Sequence, residues 1–333
     1  MTVQPIKLLI LTNNPDRPSY RQRLEIHLAR LAQRGIAVQA VKLPKTEAGR
    51  LKLFMRAGRF DGVLLQKKCL NILDTFVLRK FSRKIIYDFD DAVMYSPSRS
   101  QCDNTSHMRL FARTAKAADL MIAGNCYLAQ QAKTFNGNVV VLPTGLDTKS
   151  YDIEPALKDG KIRLVWIGSK ATLKYIEALK PALEEIGKRH KNVLLRIICD
   201  EFFELENMKV EKYLWSLENQ VRDLVSADIG LGPLIDNRFT QGKCGFKLLQ
   251  YQAAGLPVVA SPVGVNREIV TDGENGYLAN NSQQWIERIS ELIENPRLRE
   301  QMGKKAKADV QKYDLEVIGK WLCDIVADCL SEK

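Results

Sequence analysis

The chain has 333 residues, enough for two domains of ordinary size, each with its own core. With 45% hydrophobic and 27% charged residues it reads as a globular protein, not a disordered or fibrous one. The net charge of +11 is unevenly placed: residues 1–150 hold 24 Lys and Arg against 11 Asp and Glu (+13), and the remainder 26 against 28 (−2). A partner that responds to charge therefore meets the first half, with nucleic acid, an anionic membrane and a phosphorylated acceptor as the classes to weigh. No aromatic-plus-basic strand pattern accompanies the charge, which disfavours nucleic acid. The early apolar run Ile6 to Leu11 is too short for a signal-peptide core or a membrane span. Seven cysteines without a Cys-x-x-Cys pair fit reduced thiols in a cytoplasmic protein. Cys102, His107 and Cys126 match no usual zinc spacing.

The first half alternates short β-rich runs with amphipathic stretches, as a parallel sheet covered by helices does. Strands are expected at residues 7–11, 37–41, 62–65, 84–87, 120–123 and 139–142, and helices at 19–34, 47–57, 72–82, 108–117 and 127–134. The loop from Asn13 to Arg21 leads into the first helix, which Ser19 is expected to cap. Asp88-Phe89-Asp90-Asp91 ends a strand, where α/β folds display functional side chains. Two such carboxylates can hold Mg²⁺, serve as a base toward a hydroxyl, or simply cap the strand end. The stretches Glu47–Arg59 and Leu70–Lys84 mix Leu51, Phe54, Met55, Leu73, Phe76, Val77 and Phe81 with Arg50, Lys52, Arg56, Arg59, Arg79, Lys80, Arg83 and Lys84. Such helices can lie on anionic lipid or cover a sheet with a basic outer face.

A polar stretch from Pro143 to about Gly160 reads as a linker, and a second alternation follows. Its strands are expected at 163–167, 194–199 and 229–231, with helices at 172–188 and 217–225. From Gln283 the chain is helical, with breaks near Pro296 and Tyr313. Between these lies the most specific segment, Gly242 to Gly276, GKCGFKLLQYQAAGLPVVASPVGVNREIVTDGENG. Gly242 and Gly245 bracket the start of a helix over Phe246–Ala254, followed by the strand Val258–Ala260. A glycine-bracketed helix start offers unpaired N–H groups and the positive end of a macrodipole to an anion. Lys243 and Lys247 stand at that end, where only an anion would relieve their conflict with the dipole.

This segment resembles the nucleotide-sugar site of the family 4 (group 1) glycosyltransferases. The likeness rests on Leu248 to Gly255, Pro257 to Ser261, Glu268-Ile269-Val270 and Asp272-Gly273-Glu274-Asn275-Gly276. Weaker likeness extends over Val165 to Ser169 with Thr172 and Tyr175, and over Asn138 to Asp147. The resemblance implies an α/β protein of the GT-B fold: two Rossmann-like domains facing across a cleft, with a C-terminal helix crossing back to the first. The domains would be 1–143 (acceptor), 144–160 (linker), 161–312 (nucleotide sugar) and 313–333 (returning helix).

The implied activity is transfer of a sugar from a nucleoside diphosphate sugar to a glycan, lipid-linked or phosphorylated acceptor in cell-surface polysaccharide or glycolipid synthesis. Retention at the anomeric carbon and no required metal or cofactor are also implied, while the cysteine usage and the basic first half lead to the expectation of a cytoplasmic protein at the inner face of the membrane. Donor-binding residues would be Gly168, Ser169, Lys170, Lys174, Lys243, Gly245, Phe246, Lys247 and Gln250. Ser19, Arg21 and Arg23 would border the cleft, and Asp90, Asp91 and His107 are the catalytic candidates. The chain departs from the family pattern where two glutamates stand, for donor sugar and ribose; here they are Gly242 and Gln250. The family's diphosphate-binding arginine and lysine are replaced by Ser169 and Tyr175. A non-catalytic scaffold of the same fold and a sugar-nucleotide epimerase remain alternatives. A dinucleotide oxidoreductase is disfavoured, because Asn13-Asn14-Pro15 replaces the glycine-rich turn.

Overall fold

The computed structural model describes residues 5–97, 101–102, 105–154 and 159–331. It divides into two compact units. The first comprises Met1–Gly145, Asn237–Cys244 and Leu315–Lys333; the second comprises Leu146–Asp236 and Gly245–Asp314. Each is a six-stranded, wholly parallel sheet flanked by helices.

In the first unit the strands are β1 (Ile6–Thr12), β2 (Ile36–Lys42), β3 (Gly62–Gln66), β4 (Ile85–Phe89), β5 (Leu120–Ala123) and β6 (Val139–Val141). They lie in the order β2-β1-β3-β4-β5-β6. β3, β4 and β5 are buried along their whole length, as continuous apolar runs in a parallel sheet should be. β1 has β2 on one side and β3 on the other, so the direction of winding reverses between β1 and β3. In open α/β sheets ligands gather beyond the strand C-termini at such a reversal. The helix Leu315–Ser331 packs here, burying Ile318, Leu322, Cys323 and Val326 with Leu8, Ile10 and Leu64.

The second unit contains β7 (Ile162–Ile167), β8 (Val193–Cys199), β9 (Lys209–Leu214), β10 (Ile229–Gly232), β11 (Val258–Ala260) and β12 (Gly276–Leu278). Their order is β12-β11-β10-β7-β8-β9, with the reversal between β7 and β10. One core cluster gathers around Trp166, Ile186, Ile197 and Trp285 on one side of the sheet, another around Leu249, Tyr251 and Val258.

Several expected elements are divided or absent from the sequence reading. The stretch 19–34 is two short helices, Pro18–Arg23 and Leu28–Gln33, joined by a 3-10 turn. Arg17 is the N-cap, with Pro18 in the first turn, so Ser19 is not the cap. The stretch 172–188 is likewise two helices, Lys170–Glu177 and Lys180–Arg189, the second opened by Pro181. β9 and β12 have no expected counterpart. The change of unit falls between Gly145 and Leu146, so Thr148–Tyr151, inside the expected linker, belongs to the second unit with Tyr151 buried. Residues 155–158 of that stretch lie outside the described residues. Residues 237–244, expected in the second domain, pack in the first unit. Among the described residues no helix is long and apolar enough to cross a membrane.

Candidate functional site

At the reversal point of the second unit, β7 runs into Gly168 and Ser169. Ser169 caps the helix Lys170–Glu177 through a reciprocal box with Thr172: its N–H donates to Thr172 Oγ1 at 3.2 Å, and its side chain accepts from the Thr172 backbone. The box takes up the Ser169 and Thr172 N–H groups, and the Lys170 N–H donates to Asp200 Oδ1 at 2.9 Å. A second helix, Phe246–Ala253, starts from Gly245, which sits at φ 66° in the left-handed region that glycine enters without strain. A Cβ there would strike Ile269 at 2.3 Å. Phe246 packs partly buried against the apolar cluster below, fixing the helix start.

Lys247 joins these two helix starts. Its Nζ lies 4.1 Å from the centre of the Trp166 ring and 3.3 Å from Thr172 Oγ1. A Cβ built on Gly168 would fall 2.2 Å from the Trp166 ring and 2.7 Å from Lys247 Nζ. Only glycine lets the lysine tip come this close to the backbone. An ammonium over an indole face keeps its charge and part of its hydrogen-bonding capacity. Two helix N-termini and a fixed cation therefore converge beside Gly168, a geometry suited to an anion such as a diphosphate. Trp166 and Thr172 complete this set, and the sequence signalled them only as parts of a strand-to-helix motif.

The other expected donor residues take different partners. Lys170 Nζ ion-pairs with exposed Glu201, and that hydrogen bond raises its pKa. Lys174 lies over the Tyr175 ring, 5.4 Å from its centre. Gln250 is buried and donates from Nε2 to Tyr151 Oη and Gln220 Oε1, each at 3.2 Å. Burial pushes the Tyr151 phenol up to about 12, against the opposing pull of the Gln250 bond. Gln250 is thus the centre of a neutral trio, buried with Tyr151 and closed by the half-buried Gln220, that no spacing in the sequence announces. Beside this region a half-open depression of about 180 Å³ is lined by Tyr175, Leu179, Leu234, Ser261, Asn281 and Trp285.

Lys243 takes different partners from Lys247. It packs in the first unit, with Nζ 2.8 Å from Asp91 Oδ1 and 4.7 Å from the Phe239 ring centre. Its loop is held there by Asn125, which donates to Gln241 O and Lys243 O at 3.4 and 3.0 Å, and by Cys244, whose thiol donates to Asp90 O at 3.1 Å.

The same cluster receives the Asp88–Asp91 segment. Lys67, just beyond β3 at φ 60°, places Nζ 3.0 Å from Asp90 Oδ1 and 2.5 Å from Asp91 Oδ2. A non-glycine residue in the left-handed region stores strain, which clusters at functional sites. Burial works to raise the Asp91 pKa, but the charges of Lys243 and Lys67 outweigh it and hold the carboxyl below its usual range. Burial likewise works to lower the Lys67 pKa, and Asp90 and Asp91 turn that into a net rise. Asp91 is consequently a weak base that orients lysines more readily than it takes a proton.

Asp88 turns inward to Arg23, which donates from Nε and Nη2 at 2.5 to 3.1 Å and from Nη1 to Leu142 O at 3.0 Å. Both side chains are almost wholly buried, so Arg23 spends its guanidinium on Asp88 and Leu142 inside the first unit. Ser19 contributes its carbonyl, accepting from Gln66 Nε2 at 3.0 Å. Arg21 is half-buried, and its Nε has no hydrogen-bond partner among the described residues, which leaves that donor for a ligand. His107 is exposed in the first turn of the helix Ser106–Ala117, with no hydrogen bond to Asp90 or Asp91. Among the described residues no group of three or more His, Cys, Asp or Glu side chains is placed to hold a metal ion.

Residues 147–309, which include the Gly168–Lys247 site, match the profile of the family described as glycosyl transferases group 1. The chain carries a group 1 glycosyltransferase domain. Spore coat protein SA of Bacillus subtilis is 28% identical to the chain over 170 residues, 46% of this chain and 45% of that protein. The D-inositol 3-phosphate glycosyltransferase of Corynebacterium aurimucosum is 27% identical over 224 residues, covering 58% and 52%. The chain thus spans about half the length of the curated relatives it matches. Among solved structures, Anabaena HepE in complex with UDP and glucose superposes with a TM-score of 0.75 at 17% identity, over 97% of this chain and 100% of that one. Sucrose-phosphate synthase from Thermosynechococcus elongatus gives 0.77 at 15%, over 98% and 100%. These likenesses establish the fold as GT-B, with the group 1 domain forming most of the second Rossmann-like unit.

Proposed function

We propose that the chain is a glycosyltransferase of family 4 that moves a sugar from a nucleoside diphosphate donor to a glycan or lipid-linked acceptor hydroxyl, with retention at the anomeric carbon. The observation that carries this reading is the convergence of Lys247 Nζ, the Ser169-capped helix and the Gly245-capped helix beside Gly168. As the bond from anomeric carbon to diphosphate oxygen breaks, its electron pair stays on the diphosphate, and the acceptor oxygen bonds the same carbon and gives up its proton to the departing diphosphate. Stabilising charge on the departing diphosphate is the physical task, and preorganised amides and a fixed ammonium perform it without a metal. The complex of HepE with UDP and glucose supports a UDP-sugar as the donor class. The +13 charge of residues 1–150 and similarity to the alpha-monoglucosyldiacylglycerol synthase of Acholeplasma laidlawii support work at the cytoplasmic, anionic face of a membrane.

A thermal-shift screen with UDP, GDP and ADP and their sugars, followed by donor turnover with and without EDTA, tests the reading. Stabilisation by a nucleoside diphosphate and turnover that persists in EDTA are expected. Loss of all turnover in EDTA with rescue by Mn²⁺ would return Asp88 and Asp90, the Asp-x-Asp at the strand end, to a metal-binding role. A second reading, a binding subunit without turnover, is favoured by Gln250, whose amide donors are engaged by Tyr151 and Gln220 where the family pattern has a glutamate. Diphosphate binding without donor consumption would select it.

A further inference from the structure

The helix Ile72–Phe81 follows β3, beginning just beyond the turn that contains Lys67 at the functional edge of the first sheet. Its inward face is ordinary: Asp74, Thr75 and Leu78 are buried, and Asp74 Oδ2 accepts from Arg50 Nε at 2.7 Å, tying this helix to the preceding one, Glu47–Phe54. The outward face is not. Ile72, Leu73 and Phe76 are 71%, 42% and 63% exposed, and Met55, just after the preceding helix, is 51% exposed. Positions i, i+1 and i+4 share one side of a helix, so these side chains form a stripe and not scattered single residues. Exposed Lys52, Arg56, Arg59, Lys80 and Arg83 flank it, while the nearby carboxylate of Asp61 is engaged by Arg83 at 3.1 Å.

We propose that this face is where the chain enters an anionic bilayer, with Ile72, Leu73, Phe76 and Met55 at the headgroup–acyl boundary and the surrounding lysines and arginines on lipid phosphates. The proposal rests on the peripheral-membrane reading above and names the surface responsible. An apolar stripe rimmed by cations is the interfacial pattern, apolar burial and attraction to anionic lipid acting together. A soluble acidic glycan would engage the cations but leave Ile72 and Phe76 in water. A second copy would set one strongly basic surface against another. The exposed Leu214 and Leu217 of the second unit offer a contrast, since residues 151–333 carry a net −2 and Glu218 adjoins them. A membrane held at this edge would also present a lipid-borne hydroxyl toward the strand ends that carry Lys67 and Asp90.

The full chain is sedimented with phosphatidylglycerol–phosphatidylcholine vesicles and with phosphatidylcholine alone, beside Ile72→Ser/Phe76→Ser and the control Leu214→Ser/Leu217→Ser. Wild type and control should partition to anionic vesicles, and the Ile72/Phe76 variant about tenfold or more weakly, from the apolar area removed. Independently, Phe76→Trp should shift its emission to the blue and be quenched by brominated acyl chains. Wild-type binding that the Ile72/Phe76 variant retains in full, with Phe76→Trp unquenched, overturns this face but leaves the peripheral reading standing. No binding by the wild type to either vesicle overturns both. A dimer in solution that the Ile72/Phe76 variant dissolves assigns the face to self-association and likewise overturns the proposal.

Discussion

Both units end a parallel sheet at a winding reversal, yet the two ends handle charge in opposite ways. In the first, cations and carboxylates satisfy one another: Arg23 with Asp88, and Lys67 and Lys243 with Asp90 and Asp91. In the second, Lys247 rests on an aromatic face and a hydroxyl beside two helix starts. A cation bound to a buried carboxylate gains little from a ligand anion, whereas an ammonium set beside two helix starts adds its charge to theirs. The first arrangement therefore shapes the protein, and the second is suited to a donor diphosphate.

The largest effect should come from breaking the buried pair. Arg23→Ala leaves the Asp88 carboxylate buried without its partner, and loss of about 3–5 kcal/mol of stability is expected in denaturant unfolding. A loss below about 1 kcal/mol would mean that water reaches Asp88, and the contrast between the two ends would fail at its strongest point.

His27 extends the comparison to pH. It is buried in the first unit, its Nε2 has no hydrogen-bond partner among the described residues, and burial together with the Arg30 and Arg23 charges lowers its pKa to about 4. The folded state keeps the ring neutral while the unfolded chain binds a proton below about pH 6.5, so stability falls as pH drops from about 6.5 to 4 and rises again with pH. The loss by pH 4 should be about 3 kcal/mol. His27→Gln should flatten that limb in unfolding measured across the window; an unchanged slope would place the proton uptake elsewhere.

Lys247→Ala addresses the donor end. Affinity for a nucleoside diphosphate should fall by about 1.5–3 kcal/mol, the range for a charge-assisted hydrogen bond, with little change for the nucleoside. Calorimetry that found both ligands weakened equally would show Lys247 to be a scaffold residue like Arg23.

The Gly242–Gly276 segment shows what the sequence could disclose. Its helix start and strand were legible because glycines, proline and apolar runs act locally, and the structure places them at Phe246 and Val258. β9 was not legible: Lys209-Val-Glu-Lys-Tyr-Leu is an edge strand with exposed and half-buried residues, so its pattern is polar. The break at Leu179-Lys180-Pro181 shows in hindsight as proline opening a new helix. The burial of Arg23 is not legible for a different reason. Its partner Asp88 lies 65 residues away, and nothing local separates an arginine on a basic helix from one about to be buried. Lys243 and Lys247 were adjacent in the sequence and expected to act as a pair, but the chain passes from the first unit to the second between Cys244 and Gly245.

That separation yields the smallest predicted effect and the sharpest test of the comparison. Lys243 is about a quarter exposed, its ammonium is bound to Asp91, and Asp91 keeps Lys67 when Lys243 is removed. Lys243→Ala should thus weaken nucleoside diphosphate by no more than about 0.5 kcal/mol, within the range of a partly exposed ion pair removed elsewhere in a protein. Stability should also change little, because the remaining lysine still compensates the carboxylate. The Asp91 pKa should rise, since the largest of the influences lowering it is gone. Its stabilising contribution, present above the ordinary carboxylate range and lost as pH falls through the folded value, should then disappear at higher pH than in the parent chain. A diphosphate affinity that falls as far as in Lys247→Ala would place both lysines on the donor and remove the distinction between the carboxylate-bound lysine and the one at the helix starts on which the comparison stands.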